Sequence, residues 1–83
     1  MSDHLALTLA RAVRAERSRH GWSQARLGET LGWSQSKVAA VEAGTRRLNA
    51  DELPDVCTAL GVTLERLLTD AAPADLTALG LIG

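Results

Sequence analysis

Residues Gln24–Ala43 read QARLGETLGWSQSKVAAVEA, and the order of landmarks in that stretch decides the fold. Leu27 and Leu31 stand four apart, so they stack on one helical face. Gly28 falls on the same side, where two helices that cross steeply leave no room for a large side chain. Gly32 follows directly, the usual place for the left-handed residue that ends a helix. Ser34 is placed to cap a second helix by accepting from the free N–H groups of its first turn. Val38 and Val41, three apart, point inward, which leaves Gln35, Ser36, Lys37 and Ala40 outward, flanked by Ala39 and Ala43. A solvated helix ordinarily carries Glu/Lys pairs on such a face. A face this bare is built for contact.

Length and composition set the frame. Eighty-three residues make one domain with a single modest core. Apolar residues form 46% of the chain, yet there is no Phe or Tyr and only two Trp, so the core has to be aliphatic. Leu and Ala dominate and β-branched residues are scattered, which predicts an all-α fold. No apolar run approaches the ~20 residues of a membrane span. The opening MSDHLALTLARAVRAERS has no basic residue ahead of its apolar positions and does not read as a signal peptide. A single cysteine, Cys57, leaves no internal disulfide and fits a reducing compartment. The expectation is a soluble, cytoplasmic protein that does not engage a membrane.

The net charge of −1 conceals a division. Residues 1–47 carry eight Arg or Lys against Asp3, Glu16, Glu29 and Glu42, a balance of +4. Residues 48–83 carry Arg66 against Asp51, Glu52, Asp55, Glu65, Asp70 and Asp75, a balance of −5. Such a molecule can turn a basic end toward phosphate while its acidic end faces away.

Five helices and no strand are predicted. The first runs from about Asp3 or His4 to Arg19, with Leu5, Leu9 and Val13 inward, Ala6 and Ala12 alongside, and Arg11, Arg14 and Arg19 outward. Gly21 ends it. Ser23 caps the second helix, Gln24 to about Leu31, and the third spans about Gln35 to Ala43 before Gly44. A basic loop, Thr45-Arg46-Arg47-Leu48-Asn49, leads to the fourth, where Leu53, Val56, Cys57 and Leu60 follow helical spacing up to Gly61. Two starts for it stay open. Asn49 can cap with Glu52 as its box partner, whereas capping at Ala50 or Asp51 better suits Pro54, since proline belongs in a first turn. Thr63 caps a short fifth helix, Leu64–Leu68.

The segment from Leu9 to Leu68 resembles the Cro/repressor-type, or XRE-type, helix-turn-helix family of phage and bacterial transcription regulators. The matching stretches are RAVRAERSRHGWSQARLGETLG, WSQSKVAAVEAGTRR and LPDVCTALGVTLERLL, in the family's order and at its intervals. The resemblance implies a five-helix, lambda-repressor-like DNA-binding domain over residues 1–70, with helices 2 and 3 as the helix-turn-helix. Residues 71–83 form an apolar tail. It implies a sequence-specific regulator of double-stranded DNA, acting as a repressor-like dimer that reads a pseudo-palindromic operator through the major groove.

Its residues carry over by position. Arg17 and Glu42 match the family's structural Arg–Glu pair, and Gln24 matches a glutamine that touches backbone phosphate and braces the helices. Gln35, Ser36, Lys37 and Ala40 take the base-facing positions. Gln can bond adenine through two hydrogen bonds, Lys can reach guanine acceptors or a phosphate, and Ala can meet a thymine methyl. Ser34, Thr45, Arg46 and Arg47 fall where relatives contact phosphate. The chain departs from the commoner pattern at Ala39 and Ala40, where longer polar side chains are frequent. With so few readers, specificity calls for two copies.

Other conspicuous residues point to structure. Trp22 and Trp33 replace aliphatic residues on either side of the second helix and are expected as core or rim anchors. Cys57 reads as a small hydrophobe, and His4 and His20 lack partners at metal-ligand spacing. No nucleophile–base–acid set or phosphate-cradling glycine loop can be assembled, so neither an enzyme nor a cofactor is expected. Leu76, Leu79, Leu81 and Ile82 make the tail too apolar for a solvated terminus. It either folds back on its own domain or, as preferred here, joins the fifth helix in a homodimer contact. The alternative function is a protein-interaction module such as an antitoxin or coregulator, which reuses this fold to bind a protein partner.

Overall fold

The computed structural model describes residues 3–69. Over them the chain is all-α: α1 (Asp3–Arg19), α2 (Gln24–Leu31), α3 (Gln35–Glu42), α4 (Glu52–Leu60) and α5 (Leu64–Leu67). The expected apolar positions of α1 are buried, and Ala10 completes the stripe that Leu5, Leu9 and Val13 begin. Three helices start on hydroxyl caps. Ser23, Ser34 and Thr63 accept from the backbone N–H groups of Arg26, Lys37 and Arg66 at 3.0, 3.1 and 3.1 Å.

The boundaries differ from expectation by a residue or so, as helix ends commonly do. α3 stops at Glu42, with Ala43 as its C-cap and Gly44 at φ +78°. α5 stops at Leu67, with Leu68 closing it. The start of α4 combines the two options that the sequence left open. Asp51 occupies the cap position without a side-chain cap bond, while the Glu52 carboxylate reaches back to the Asn49 N–H at 2.9 Å. Pro54 therefore lies in the first turn, where its missing N–H leaves no bond unmade.

α2 packs against α3, α4 braces α2 and α1, and α5 closes over α4 and α1. Leu5, Leu9, Leu27, Leu60 and Leu67 are the largest fully buried side chains, with Val13, Val38 and Val56 among them. Each contributes about 1.5–3 kcal/mol by leaving water. Trp22, Leu31, Trp33 and Cys57 pack part-buried against this core, so both tryptophans serve as rim anchors. Residues 71–83, including the tail expected at a dimer contact, lie outside the described residues. Leu67 and Leu68 of the α5 segment face their own core, at 1% and 3% exposure.

The closest constraint is at the α2–α3 turn. Gly32 takes φ +73°, and the Trp33 N–H returns to the Gly28 carbonyl at 2.8 Å. The chain thereby passes so near α2 that a Cβ on Gly28 would sit 2.6 Å from the Trp33 carbonyl oxygen. That neighbour is backbone and cannot swing aside. Gly28→Ala is therefore expected to cost about 1–3 kcal/mol by forcing α3 away from α2, read as a lowered urea midpoint. A midpoint equal to the parent's would mean that the crossing has slack.

Candidate nucleic-acid interface

α3 has a narrow apolar face, Val38 and Val41, so polar bonds have to fix its direction. Arg17 supplies them from the last turn of α1. Its Nε and Nη2 donate to the two carboxylate oxygens of Glu42 at 2.7 and 2.9 Å, and its Nη1 donates to the Trp22 carbonyl at 2.7 Å. The Glu42 side chain is only 3% exposed. Its bonded carboxylate raises Arg17 above its already high ordinary pKa, against the opposing effect of burial. One guanidinium thus joins α1, the approach to α2 and the end of α3.

From Glu42 the network runs outward. Gln24 donates from Nε2 to Glu42 Oε1 at 3.3 Å, and its own Oε1 accepts from Gln35 Nε2 at 2.7 Å. The first residue of α2 and the first residue of α3 are therefore held side by side. Gln35 and Ser36 are exposed, and Ala40 is half-buried one turn further along.

Lys37 is placed differently from expectation. Instead of projecting outward, its ammonium lies 2.9 Å from Glu52 Oε2 and 4.1 Å from the centre of the Trp33 ring. A carboxylate ahead and an aromatic face beneath both attract a cation. Arg46 joins the same carboxylate, with Nη1 3.2 Å from Oε1 and Nη2 3.4 Å from Oε2. Glu52 belongs to the acidic half of the sequence, so that half does not simply face away. One of its carboxylates stands among the basic residues. The Asn49 N–H, opposed by burial and helped by Lys37 and Arg46, holds Glu52 at a pKa of about 2, against the usual 4.5.

The loop after α3 is fixed at its start. The Ala40 carbonyl accepts from the backbone N–H groups of Thr45 and Arg46 at 3.0 and 3.2 Å and from the Thr45 hydroxyl at 3.1 Å. Arg47 is exposed beside it. The Ser34 Oγ accepts the Lys37 N–H as a cap. Ser34, Thr45 and Arg46, all expected at phosphate, thus also carry structural bonds.

Sequence reading missed two acids. Glu16 is buried and accepts from Arg66 Nε at 2.9 Å, tying α1 to α5. Glu52 carried a local signal as the box partner of Asn49, but nothing local pointed to Lys37 or Arg46. Arg11 and Arg14 are exposed on α1. His20 stacks on Trp22 at 4.5 Å and donates to the Leu60 carbonyl at 2.6 Å, a structural role. Burial pushes the Cys57 thiol above its ordinary pKa, which lowers its thiolate fraction.

Comparison with known proteins places this geometry in a family. A helix-turn-helix domain model matches residues 8–69, and the chain belongs to that family. It is similar to a crystal structure of the clp gene regulator ClgR from Corynebacterium glutamicum, with 28% identity and a TM-score of 0.76, over 92% of this chain and 82% of that one. A second ClgR structure gives 28% and 0.75, over 78% and 83%. A hypothetical transcription factor from Neisseria, NHTF, gives 29% and 0.73, over 95% and 90%. Comparison with curated proteins found no match. The fold is that of an XRE-type helix-turn-helix regulator, with α2 and α3 as the helix-turn-helix.

The lowered Glu52 pKa sets a pH dependence. A carboxylate with a depressed folded-state pKa stabilises fully above its unfolded value, and that contribution is lost as pH falls through the folded value. The parent is thus expected to exceed Glu52→Gln in stability at pH 6, with the gap closing between pH 4.5 and about 2. Paired urea titrations across that range check it, and a gap that does not change with pH would contradict it.

Proposed function

We propose that this DNA-binding transcription regulator reads a specific double-stranded sequence by laying α3 in the major groove. It works as a two-fold symmetric, repressor-like dimer on a pseudo-palindromic operator. The observation that carries this is the Gln24–Gln35 pair, because it presents a pre-oriented amide at the exposed start of α3. Gln35, Ser36 and Ala40 are assigned to base edges, with Lys37 beside them. Gln24, Ser34, Thr45, Arg46 and Arg47 are assigned to phosphate. The Arg17–Glu42 pair holds the frame, since base reading requires positions fixed to within a fraction of an ångström.

The role is a non-enzymatic one in the cytoplasm. Among the described residues, no helix is long and apolar enough to cross a membrane. Pairing is assigned to the C-terminal side, through residues 71–83 and the exposed Glu65, Arg66 and Thr69 of the α5 segment. Two α3 helices about 34 Å apart would then meet successive major-groove faces.

Two variants separate base reading from phosphate contact on an operator selected from random DNA. Gln35→Ala should weaken operator binding by about 1–3 kcal/mol and relax preference at one position. Joint replacement of Arg46 and Arg47 by Ala should weaken all sequences alike and flatten the salt dependence by about one to two. Gel shifts in which both variants match the parent would move the interface elsewhere. Light scattering should give a dimer at high micromolar concentration, and a strictly monomeric protein would refute the proposed pairing.

A further inference from the structure

We infer that Glu52 limits DNA affinity by occupying the cations of the DNA side, so that they contribute less to phosphate binding on any sequence. This rests on the reading of the Gln24–Gln35–Arg46 face as the DNA side. The carboxylate makes the contacts that a phosphate would make. Oε2 meets Lys37 at 2.9 Å and Arg46 Nη2 at 3.4 Å, while Oε1 meets Arg46 Nη1 at 3.2 Å and the Asn49 N–H at 2.9 Å. Two positive side chains and one negative one leave the cluster with a single net charge. Its position is rigid, because Glu52 is the first residue of α4 and its side chain is 16% exposed. The Trp33 ring under Lys37 restrains the ammonium from the other side.

The consequence follows from what each kind of complex depends on. Binding to arbitrary DNA is almost wholly cation–phosphate attraction with release of counterions, whereas operator binding adds base contacts. Removing one effective charge from the face weakens both alike, so Glu52 lowers the affinity that any sequence can reach through phosphate contacts. Arbitrary DNA offers no matched base contacts to Gln35 and Ser36 and is left with the phosphate contacts alone, which this restraint keeps weak.

Glu52→Gln tests this, because the amide oxygen can still accept the Asn49 N–H while the charge is gone. Binding to a random duplex and to the selected operator is measured from 0.05 to about 0.3 M salt. For the random duplex the variant is expected to bind roughly three- to tenfold more tightly near 0.1 M, with a log–log salt slope steeper by about one. The operator should gain by a similar factor, so that the operator-to-random ratio changes little, and a gain confined to one of the two duplexes would overturn the inference. An unchanged slope, or weaker binding with a flatter slope, would overturn the inference by showing that the carboxylate positions these cations for phosphate.

A second measurement uses the folded parent alone. Lys37 is the single lysine of the chain, so its ammonium NMR signal needs no assignment. It is expected to hold its position when random duplex is added, and a large shift would overturn the inference. A parent that binds neither duplex at low salt would instead refute the DNA reading itself.

Discussion

Arg17 is the constraint on which the recognition surface depends. α3 is eight residues long and buries two valines, too little apolar contact to fix both its rotation and its tilt. Hydrophobic burial is non-directional, so a short helix held by it alone could settle in several nearby positions. The Arg17 fork removes that freedom because two parallel N–H···O bonds define a plane as well as a distance. Taking both charges out of water offsets much of the Coulombic gain. The return is a defined geometry, since the third Arg17 bond fixes the chain at Trp22 just before α2 begins.

That geometry propagates outward through hydrogen bonds. Glu42 receives Gln24, Gln24 receives Gln35, and the amide at the start of α3 takes its position from a guanidinium at the end of α1. The steric limit acts at the same place. Gly28 lets the Trp33 backbone approach α2, and that approach puts Gln24 and Gln35 within bonding reach. A glycine, a buried ion pair and two glutamines act as one unit. A change in any of them would move the same exposed amide.

Most of this was legible in the chain because its signals are local. The caps at Ser23, Ser34 and Thr63, the left-handed Gly32 and the stripe Leu5-Leu9-Val13 each follow from a few neighbouring residues. The boundary of α4 was only half legible, since capping box and proline rule each described part of one start. The partners of Glu52 were not. Lys37 and Arg46 come from other segments, and only the folded path from α3 through the loop to α4 brings three side chains together. Summing charge along the chain placed Glu52 with the acids that face away, because such a sum carries no information about space. The Arg17–Glu42 pair and the bracing role of Gln24 were accessible only through family resemblance, for nothing in their spacing requires them to meet. Gln35 was legible as outward-facing, but its bond to Gln24 was not.

The Glu52 cluster also changes how the overall charge should be understood. A net charge of −1 is an awkward starting point for a protein that approaches a polyanion, and the basic half of the chain seemed to compensate for it. In the folded molecule part of that basic charge, from Arg17, Arg19, Lys37 and Arg46, is already spent internally, on Glu42, Glu16 and Glu52. Long-range attraction to DNA is correspondingly modest, and geometry has to supply the rest. For a regulator this balance is useful. Competing sites in a genome number roughly 10⁶–10⁹, so the ratio of specific to non-specific affinity matters more than either alone. A small domain with few readers can raise that ratio by adding base contacts, for which α3 offers little room beside Ala39 and Ala40. Restraining its own cations leaves that ratio unchanged but keeps occupancy of arbitrary sites low in absolute terms, and the carboxylate at the start of α4 is placed to do so.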